Sequence, residues 1–188
     1  GRQVIPIDEA IGKFRAADSV RKAIDPDFVL IARTDARGAA GGSLDDAIRR
    51  ANAYLEAGAD MAFVEGPTSE DEVRRIAREV NGPVLYNQTG VSPRFTTEAL
   101  RALGIAVVIF PGALSRVAVQ AMYDFAEEFK RRGPVVEREF NERTKAHPLA
   151  NIHQFAGFDQ VRGWEEEFLP PEELRKYDSS VGHQPERR

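Results

Sequence analysis

The 188-residue sequence contains no cysteine and only three histidines, His147, His153 and His183. The lack of cysteine excludes disulfides, thiolate metal sites and a cysteine nucleophile within this chain. A histidine metal cage is not expected either, because all three histidines follow the regularly patterned part of the sequence. No apolar run approaches the roughly 20 residues that span a bilayer. The formal net charge of −4 provides no basic field for nucleic acid or an anionic membrane.

The composition, 42% hydrophobic and 30% charged, is typical of one soluble globular domain. We therefore expect a cytoplasmic protein whose partners are small molecules or protein surfaces, with no nucleic acid and no membrane. The sequence starts at Gly1 without a methionine and enters a helical pattern almost at once, with Asp8 as the expected cap. We interpret this start as that of a processed or truncated product.

Apolar runs alternate with amphipathic helical patterns through the first two thirds of the chain. The runs cover 28–32, 61–64, 83–86 and 105–110, and the helical patterns cover 7–24, 44–58, 69–80, 96–103 and 113–131. Ser43 and Ser69 stand at positions typical of helix caps. Continuous apolar runs predict strands that are buried on both faces, the run at 28–32 included. Strands alternating with helices predict an α/β fold with a parallel sheet.

Both a doubly wound sheet and a (β/α)8 barrel are consistent with this order of elements. A doubly wound nucleotide fold normally has a glycine-rich phosphate loop, and neither of its usual motifs occurs here. The stretch Gly38–Gly42 is better interpreted as a flexible loop. The barrel is favoured, but it needs eight strands and about 250 residues. The sequence therefore predicts half of a TIM barrel over residues 1–133.

Residues 134–178 have a different pattern and predict a helical extension, followed by a flexible tail over 179–188. Large aromatic residues recur in this extension at near-helical spacing: Phe155, Phe158, Trp164 and Phe168. They belong either to a helix that packs on its own barrel or to one that packs on a neighbouring subunit.

Polar residues end the first three apolar runs, where the catalytic groups of a barrel are found. Arg33, followed by Asp35, offers a bidentate fork for a substrate carboxylate. Glu65 can hold water on a hard cation such as Mg²⁺. Asn87 and Thr89 are neutral hydrogen-bond partners for substrate oxygens. After the fourth run, Pro111-Gly112 indicates close packing instead of chemistry.

The same positions carry a family resemblance that extends to about Tyr177. The string Ala32-Arg33-Thr34-Asp35-Ala36, together with the strand before it, resembles the fifth-strand signature of the isocitrate lyase and phosphoenolpyruvate mutase superfamily. Residues 57–65 resemble its sixth strand, 83–87 its seventh and 108–111 its eighth. The chain is thus similar to the C-terminal half of that barrel, with its terminal helices.

The resemblance implies an enzyme that binds Mg²⁺ and a small 2-oxo or 2-hydroxy acid through an enolate-like state. It implies that Arg33 stabilises the developing negative charge and that Glu65 contacts the metal through water. Asn87 and Thr89 would hold a substrate carboxylate. The family's direct metal ligands and its cysteine-containing catalytic loop precede the region matched here, so we expect the chain alone to be inactive. The family also implies a homo-oligomer, a tetramer in its intact form, that exchanges terminal helices.

The loop after the seventh strand departs from the family pattern. Lyases for methylisocitrate-like acids typically have Asn-x-Thr-Glu-Phe-Gly here, whereas this chain has a shorter Asn87-Gln88-Thr89-Gly90 without the glutamate. We expect a carbon–carbon lyase for an isocitrate- or methylisocitrate-like acid. The alternatives are a phosphonopyruvate or carboxyphosphonoenolpyruvate mutase, an oxaloacetate hydrolase or decarboxylase, and a non-catalytic, self-associating half-barrel.

Overall fold

The computed structural model describes residues 1–88 and 90–176, which fall into two compact units. The first unit comprises Gly1–Ala118, and the second begins at Val119. This division falls inside one long helix. The predicted boundary between residues 133 and 134 stays a prediction.

The first unit contains a four-stranded parallel sheet whose strands follow one another in sequence order. The strands are β1 (Ile31–Thr34), β2 (Met61–Val64), β3 (Val84–Asn87) and β4 (Val107–Ile109). The helices are α1 (Ile7–Ile24), α2 (Leu44–Glu56), α3 (Glu70–Glu79) and α4 (Thr97–Ala102), with a 3-10 turn at Ala36–Gly38. This arrangement confirms the predicted α/β class with a parallel sheet.

Side-chain caps explain where three of these helices begin. Ser43 Oγ accepts a hydrogen bond from the Asp46 amide at 3.0 Å, and Ser69 Oγ accepts one from the Glu72 amide at 3.2 Å. Thr96 caps α4 in the same way. The cap expected from Asp8 was wrong, because Pro6 is the N-cap of α1 and makes no side-chain cap bond. Proline can begin a helix without a cap since its φ is already helical.

Small residues allow α2 to approach the sheet closely. Ala47 and Ala51 on α2 and Ala32 and Ala62 on β1 and β2 are all fully buried. Alanine loses almost no side-chain entropy when it is buried, so this contact can be dense at little entropic cost. The close packing of α2 fixes the spacing of the two strands that carry the first candidate residues.

The outer strand β1 corrects the prediction for residues 28–32. The strand begins at Ile31, and its residues alternate between exposed and buried. Phe28 and Val29 before it are 61% and 56% exposed. The prediction of burial on both faces was therefore wrong. The reason is that β1 is an edge strand of an open sheet, with helices covering only one of its faces.

The second unit is helical. It contains the end of α5 (Ala113–Arg132), followed by α6 (Val135–Thr144), α7 (Ile152–Phe155), α8 (Phe158–Phe168) and α9 (Pro171–Arg175). The aromatic segment consists of two helices, because Gly157 has a φ of 85° that ends the first one. Among the described helices, none combines the length and apolar character that crossing a bilayer requires.

Candidate functional site

The register of the parallel strands brings Arg33, Glu65 and Asn87 to one edge of the sheet. Arg33 on β1 pairs with Phe63 on β2, and Asn87 ends β3. Glu65 directly follows β2, and its amide donates to the carbonyl of Thr34 at 3.0 Å. Because parallel strands share the direction of their carboxyl ends, these residues meet. The three residues thus lie at one edge of the sheet, while the roles predicted for them stay predictions.

Arg33 is held by a carboxylate from its own strand end. Its Nε and Nη2 donate to the two oxygens of Asp35 at 2.8 and 2.9 Å, and its guanidinium lies 4.9 Å from the centre of the Phe63 ring. Hydrogen bonding to Asp35 raises the pKa of Arg33 above its usual range, and the same bonds lower the pKa of Asp35. Arg2 adds a second cation 3.2 Å from Asp35. The fork that sequence reasoning reserved for substrate is thus filled by Asp35, which leaves Nη1 as the end available to a ligand.

Glu65 connects Arg33 to Asn87. Its Oε2 lies 3.7 Å from Arg33 Nη2 and accepts a hydrogen bond from Asn87 Nδ2 at 3.3 Å. Asn87 is almost fully buried, and its Oδ1 has no hydrogen-bond partner within the described residues. A buried acceptor without a donor is costly and indicates a ligand or water that supplies one. The cluster therefore presents a cation, a carboxylate and a free amide oxygen at one edge.

The stem of the loop after β3 is fixed by several hydrogen bonds. Tyr86 donates to the carbonyl of Pro93 at 2.5 Å, and burial raises the pKa of this tyrosine to about 12. The Gln88 side chain donates to the carbonyl of Phe95 and accepts from its amide, both at 3.0 Å. Thr89, the fourth predicted site residue, lies outside the described residues. The shortened loop thus returns directly onto the end of β3.

A second basic group lies at the ends of β3 and β4, and sequence reasoning missed it. A cavity of about 240 Å³ opens there, lined by Gln88, Arg94, Phe110, Gly112, Ala113 and Arg116. The missed signal was Arg116 in the first turns of α5, a position where the helix dipole disfavours a cation. Pro111-Gly112 indicates packing, and Arg116 follows it by four residues.

Residues 1–88 and 90–176 contain no group of three or more His, Cys, Asp or Glu placed to hold a metal ion. Mg²⁺ usually keeps several waters and uses one or two protein carboxylates. Glu65 fits the more distant role of accepting from a metal-bound water, because its carboxylate is largely buried and lies beside the free oxygen of Asn87. The residues present are thus compatible with Mg²⁺ only when further ligands come from elsewhere.

These features define a class: a parallel α/β protein with a polar cluster at the carboxyl edge of its sheet. Residues 1–130 match the model of the phosphoenolpyruvate phosphomutase family. The chain belongs to this family, within the phosphoenolpyruvate mutase and isocitrate lyase superfamily.

Two curated relatives that the chain resembles are lyases. The chain is 36% identical over 167 residues to 2,3-dimethylmalate lyase of Eubacterium barkeri, covering 88% of this chain and 53% of the relative. It is 35% identical over 159 residues to 2-methylisocitrate lyase of Escherichia coli K12, covering 82% and 52%. The chain thus spans about half the length of the curated relatives it matches.

Two solved structures are similar to this chain over most of its length. A crystal structure of 2,3-dimethylmalate lyase superposes with a TM-score of 0.79 at 28% identity, covering 97% of this chain and 58% of that one. Phosphonopyruvate hydrolase in complex with oxalate and Mg²⁺ superposes with a TM-score of 0.74 at 31% identity, covering 89% and 58%. The likeness at this level of identity supports the α/β fold and a lyase or mutase type of activity for the family.

Proposed function

We propose that this chain forms one half of the active site of a Mg²⁺-dependent lyase. The enzyme would cleave a carbon–carbon bond in a small 2-hydroxy di- or tricarboxylate through an enolate. The observation that carries the proposal is the cluster of Arg33, Glu65 and Asn87, held at one edge by the contacts described above. Arg33 supplies a charged donor for an oxyacid oxygen, and the unpaired Oδ1 of Asn87 supplies an acceptor for a hydroxyl.

The four-stranded sheet would be strands 5–8 of a (β/α)8 barrel. Support comes from the strand order, from the exposed apolar residues beside β1, and from the coverage of about half of each relative. An edge strand with apolar neighbours is normally covered in a stable protein. The other four strands would bring the direct metal ligands.

In this reaction each side chain has a distinct task. Arg33, positioned by Asp35 and Phe63, would place its Nη1 end against the oxygen that gains negative charge. Asn87, through the Nδ2 hydrogen that Glu65 does not accept, and Thr89 in the adjoining loop would hold a carboxylate of the acid. The unpaired Oδ1 of Asn87 would accept a hydrogen bond from a hydroxyl or a water. Glu65 would accept a hydrogen bond from a water on Mg²⁺. The ion would supply Lewis-acid stabilisation of the enolate.

The alternative is a mutase or hydrolase on the same scaffold. The chain is 34% identical over 168 residues to the chloroplastic carboxyvinyl-carboxyphosphonate phosphorylmutase of Arabidopsis thaliana. The shortened loop after β3 of this chain also lacks the glutamate of the lyase pattern. A phosphonate and a carboxylate present similar oxygens to Arg33, so this cluster alone does not separate the two reactions.

A homo-oligomer, a tetramer in the intact protein, is also proposed. The aromatic segment supports it, because Phe155, Trp164 and Phe168 are 65%, 52% and 72% exposed. A groove of about 770 Å³ in the same unit is lined largely by apolar side chains of α5 and α6, including Phe125, Phe129 and Phe140. Large apolar surfaces of this kind mark association sites. The cytoplasmic location stays a prediction.

The decisive experiment joins this chain to the other half of a relative's barrel. It measures 2-oxo acid release from hydroxy acids and loss of the carbon–phosphorus bond from phosphonopyruvate. Dimethylmalate-, methylisocitrate-, isocitrate- and malate-like acids would be compared with phosphonopyruvate, each with and without Mg²⁺. We expect no turnover from the 188 residues alone and Mg²⁺-dependent cleavage from the joined protein. Arg33→Lys should lower kcat about 10²-fold or more, because an ammonium cannot reproduce the contacts of the fork.

The matched control is Arg37→Lys. Arg37 forms a similar fork, with Glu72, but outside the cluster. Its replacement should leave kcat nearly unchanged. Turnover of phosphonopyruvate alone would favour the mutase or hydrolase alternative, and full activity of the isolated chain would refute the half-site proposal.

A further inference from the structure

The carboxylate of Asp35 lies against two different arginines. Its Oδ1 accepts a hydrogen bond from Arg33 Nη2 at 2.9 Å and lies 3.2 Å from Nη1 of Arg2. Arg33 belongs to the candidate site, whereas Arg2 comes from the segment before α1. A partly exposed ion pair contributes little to stability. This pair is different in one respect, because it shares its acid with the guanidinium to which a substrate role is assigned.

The backbone of the segment before α1 fixes the place of Arg2. The Ala40 amide donates to the carbonyl of Arg2 at 2.9 Å, and Arg50 donates to the carbonyl of Ile5 at the same distance. Val4, between these two anchors, packs against the core. A side chain whose backbone is already fixed loses less entropy when it makes a contact. The segment therefore delivers Arg2 to Asp35 at low entropic cost.

The guanidinium of Arg2 lies beside the loops that follow β1 and β2. A Cβ built on Gly38 or on Gly66 would lie 3.8 Å from its Nη1, the atom that faces Asp35. Both loops begin at the carboxyl edge of the sheet, since the strands are parallel. Arg2 thus lies at the edge that carries the candidate site, although it belongs to no strand.

Arg33 is placed between two carboxylates. Its Nε and Nη2 donate to Asp35, and Nη2 also lies 3.7 Å from Oε2 of Glu65. The same Glu65 oxygen accepts a hydrogen bond from Asn87. If Asp35 turned away, Arg33 would move towards Glu65 and compete with Asn87 for that oxygen. Arg2 opposes this movement, because a second cation favours the orientation in which Asp35 faces both arginines.

We propose that Arg2 is a positioning residue that acts on Arg33 through Asp35. It holds the Asp35 carboxylate in place, so that Nε and Nη2 of Arg33 stay on this acid and Nη1 stays free for the substrate oxygen. This inference rests on the proposed function of the Arg33 cluster. It goes further by adding a residue from outside the sheet, which no polar strand end indicates.

The test follows the Nε–Hε signal of Arg33 by NMR in the ¹⁵N-labelled 188-residue chain, without metal or substrate. Loss of the signal in Arg33→Lys assigns it. We expect Arg2→Met to speed exchange of this hydrogen with water about two- to fivefold, the range for loss of a partly exposed ion pair. Arg2→Lys keeps a cation and should restore slow exchange. Asp35→Asn should speed exchange more than Arg2→Met does, because it weakens both bonds to Arg33.

Arg74→Met is the matched control. The Arg74 side chain is 52% exposed, against 50% for Arg2, and forms an ion pair with Glu70 on α3. Its replacement should leave the Arg33 signal unchanged. Arg75 makes bonds to an acid of α3 that resemble those of Arg33 to Asp35, so its Nε–Hε signal reports any general loss of stability. Exchange at Arg75 should be the same in the unchanged chain and in Arg2→Met.

Unchanged exchange at Arg33 in Arg2→Met would overturn the proposal, as would an equal increase in Arg74→Met or at Arg75. So would fast exchange in Arg2→Lys. Arg2→Gln, which keeps a polar side chain without the charge, serves as a second variant and should behave as Arg2→Met does.

The NMR result is independent of the lyase assay, because it needs neither metal nor turnover. In a joined protein with lyase activity, Arg2→Met should lower kcat with KM nearly unchanged. A change in KM alone would mean that Arg2 contacts the substrate itself, and the positioning role would be rejected. An Arg33 signal that depends on Arg2 in a joined protein without lyase activity would retain the positioning role and reject only the reaction.

Discussion

At the scale of single residues, the candidate site depends on contacts that its members make with one another. Arg33 is polarised and positioned by Asp35, and Glu65 orients Asn87. Catalytic groups act well only when neighbouring residues fix their geometry. Sequence position identified Arg33, Glu65 and Asn87, because each ends an apolar run. The pairing of Arg33 with Asp35 two residues later was not predicted, since side-chain direction depends on the twist of β1.

A glycine away from the site provides a test at this same scale. Gly58 has a φ of 111°, and a Cβ built on it would lie 2.5 Å from Cγ of Asp18. Asp18 is buried and pairs with Arg21 and Lys22 of α1. Gly58→Ala should therefore lower the free energy of unfolding by more than about 2 kcal/mol, through backbone strain and loss of that packing.

Gly12→Ala is the control, to be compared with Gly58→Ala by denaturant or thermal unfolding. Gly12 lies within α1, has no heavy atom within 4 Å of a Cβ built on it, and should gain about 0.5–1 kcal/mol from the better helix propensity of alanine. Equal effects of the two substitutions would contradict the role assigned to Gly58.

At the scale of elements, most helices and strands of the first unit follow from sequence pattern. The bounds predicted for β2 agree with the structure, and Ser43 and Ser69 cap the helices as expected. The prediction failed where tertiary context decides. β1 starts later than its apolar run because ladder pairing with β2 begins only at Ile31 and Met61. The aromatic segment breaks at Gly157 because a left-handed φ ends a helix.

The contact between the loop after β1 and the start of α3 gives an element-scale prediction. Arg37 donates through Nε and Nη2 to Glu72, and the backbone amide of Thr68 donates to the same carboxylate at 2.7 Å. These bonds, those from Arg37 foremost, lower the pKa of Glu72 below its usual range. Glu72→Gln should lower the free energy of unfolding by about 1 kcal/mol at neutral pH, as measured by denaturant unfolding.

The pH dependence follows from the lowered pKa. A carboxyl that is more acidic when folded stabilises the protein above its unfolded pKa of about 4.3, and this contribution is lost as pH falls through the folded value. The difference in free energy of unfolding between the unchanged chain and Glu72→Gln should thus shrink below about pH 4. Asp71→Asn, in the same helical turn, controls for the helix dipole and should show a smaller difference. If that difference in free energy of unfolding stays constant down to pH 2, the stabilising role given to ionised Glu72 is contradicted.

At the scale of the whole molecule, exposed apolar surface occurs in both units. In the first, Ile24 and Phe28 are 79% and 61% exposed beside the edge strand β1, where the proposed other half of the barrel would pack. The described residues of the second unit form helices and no strand, and a second copy of the chain is the proposed partner of its exposed aromatic segment. The two surfaces therefore predict two different kinds of association.

The single tryptophan of the chain makes the second kind measurable. Trp164 lies on α8 and is about half exposed, so its fluorescence in a monomer should have a maximum near that of a solvated indole and be readily quenched by iodide. If the aromatic segment packs on another subunit, raising the protein concentration through the micromolar range should shift the emission to shorter wavelength and reduce quenching. Sedimentation should show the matching increase in mass.

Phe155→Ser combined with Phe168→Ser should move this transition to higher concentration, because both side chains would lose apolar area buried between subunits. Leu149→Ser, an exposed residue before the segment, should leave the midpoint unchanged. Emission that is independent of concentration while the mass increases would mean that the chain associates through another surface, such as the edge of β1.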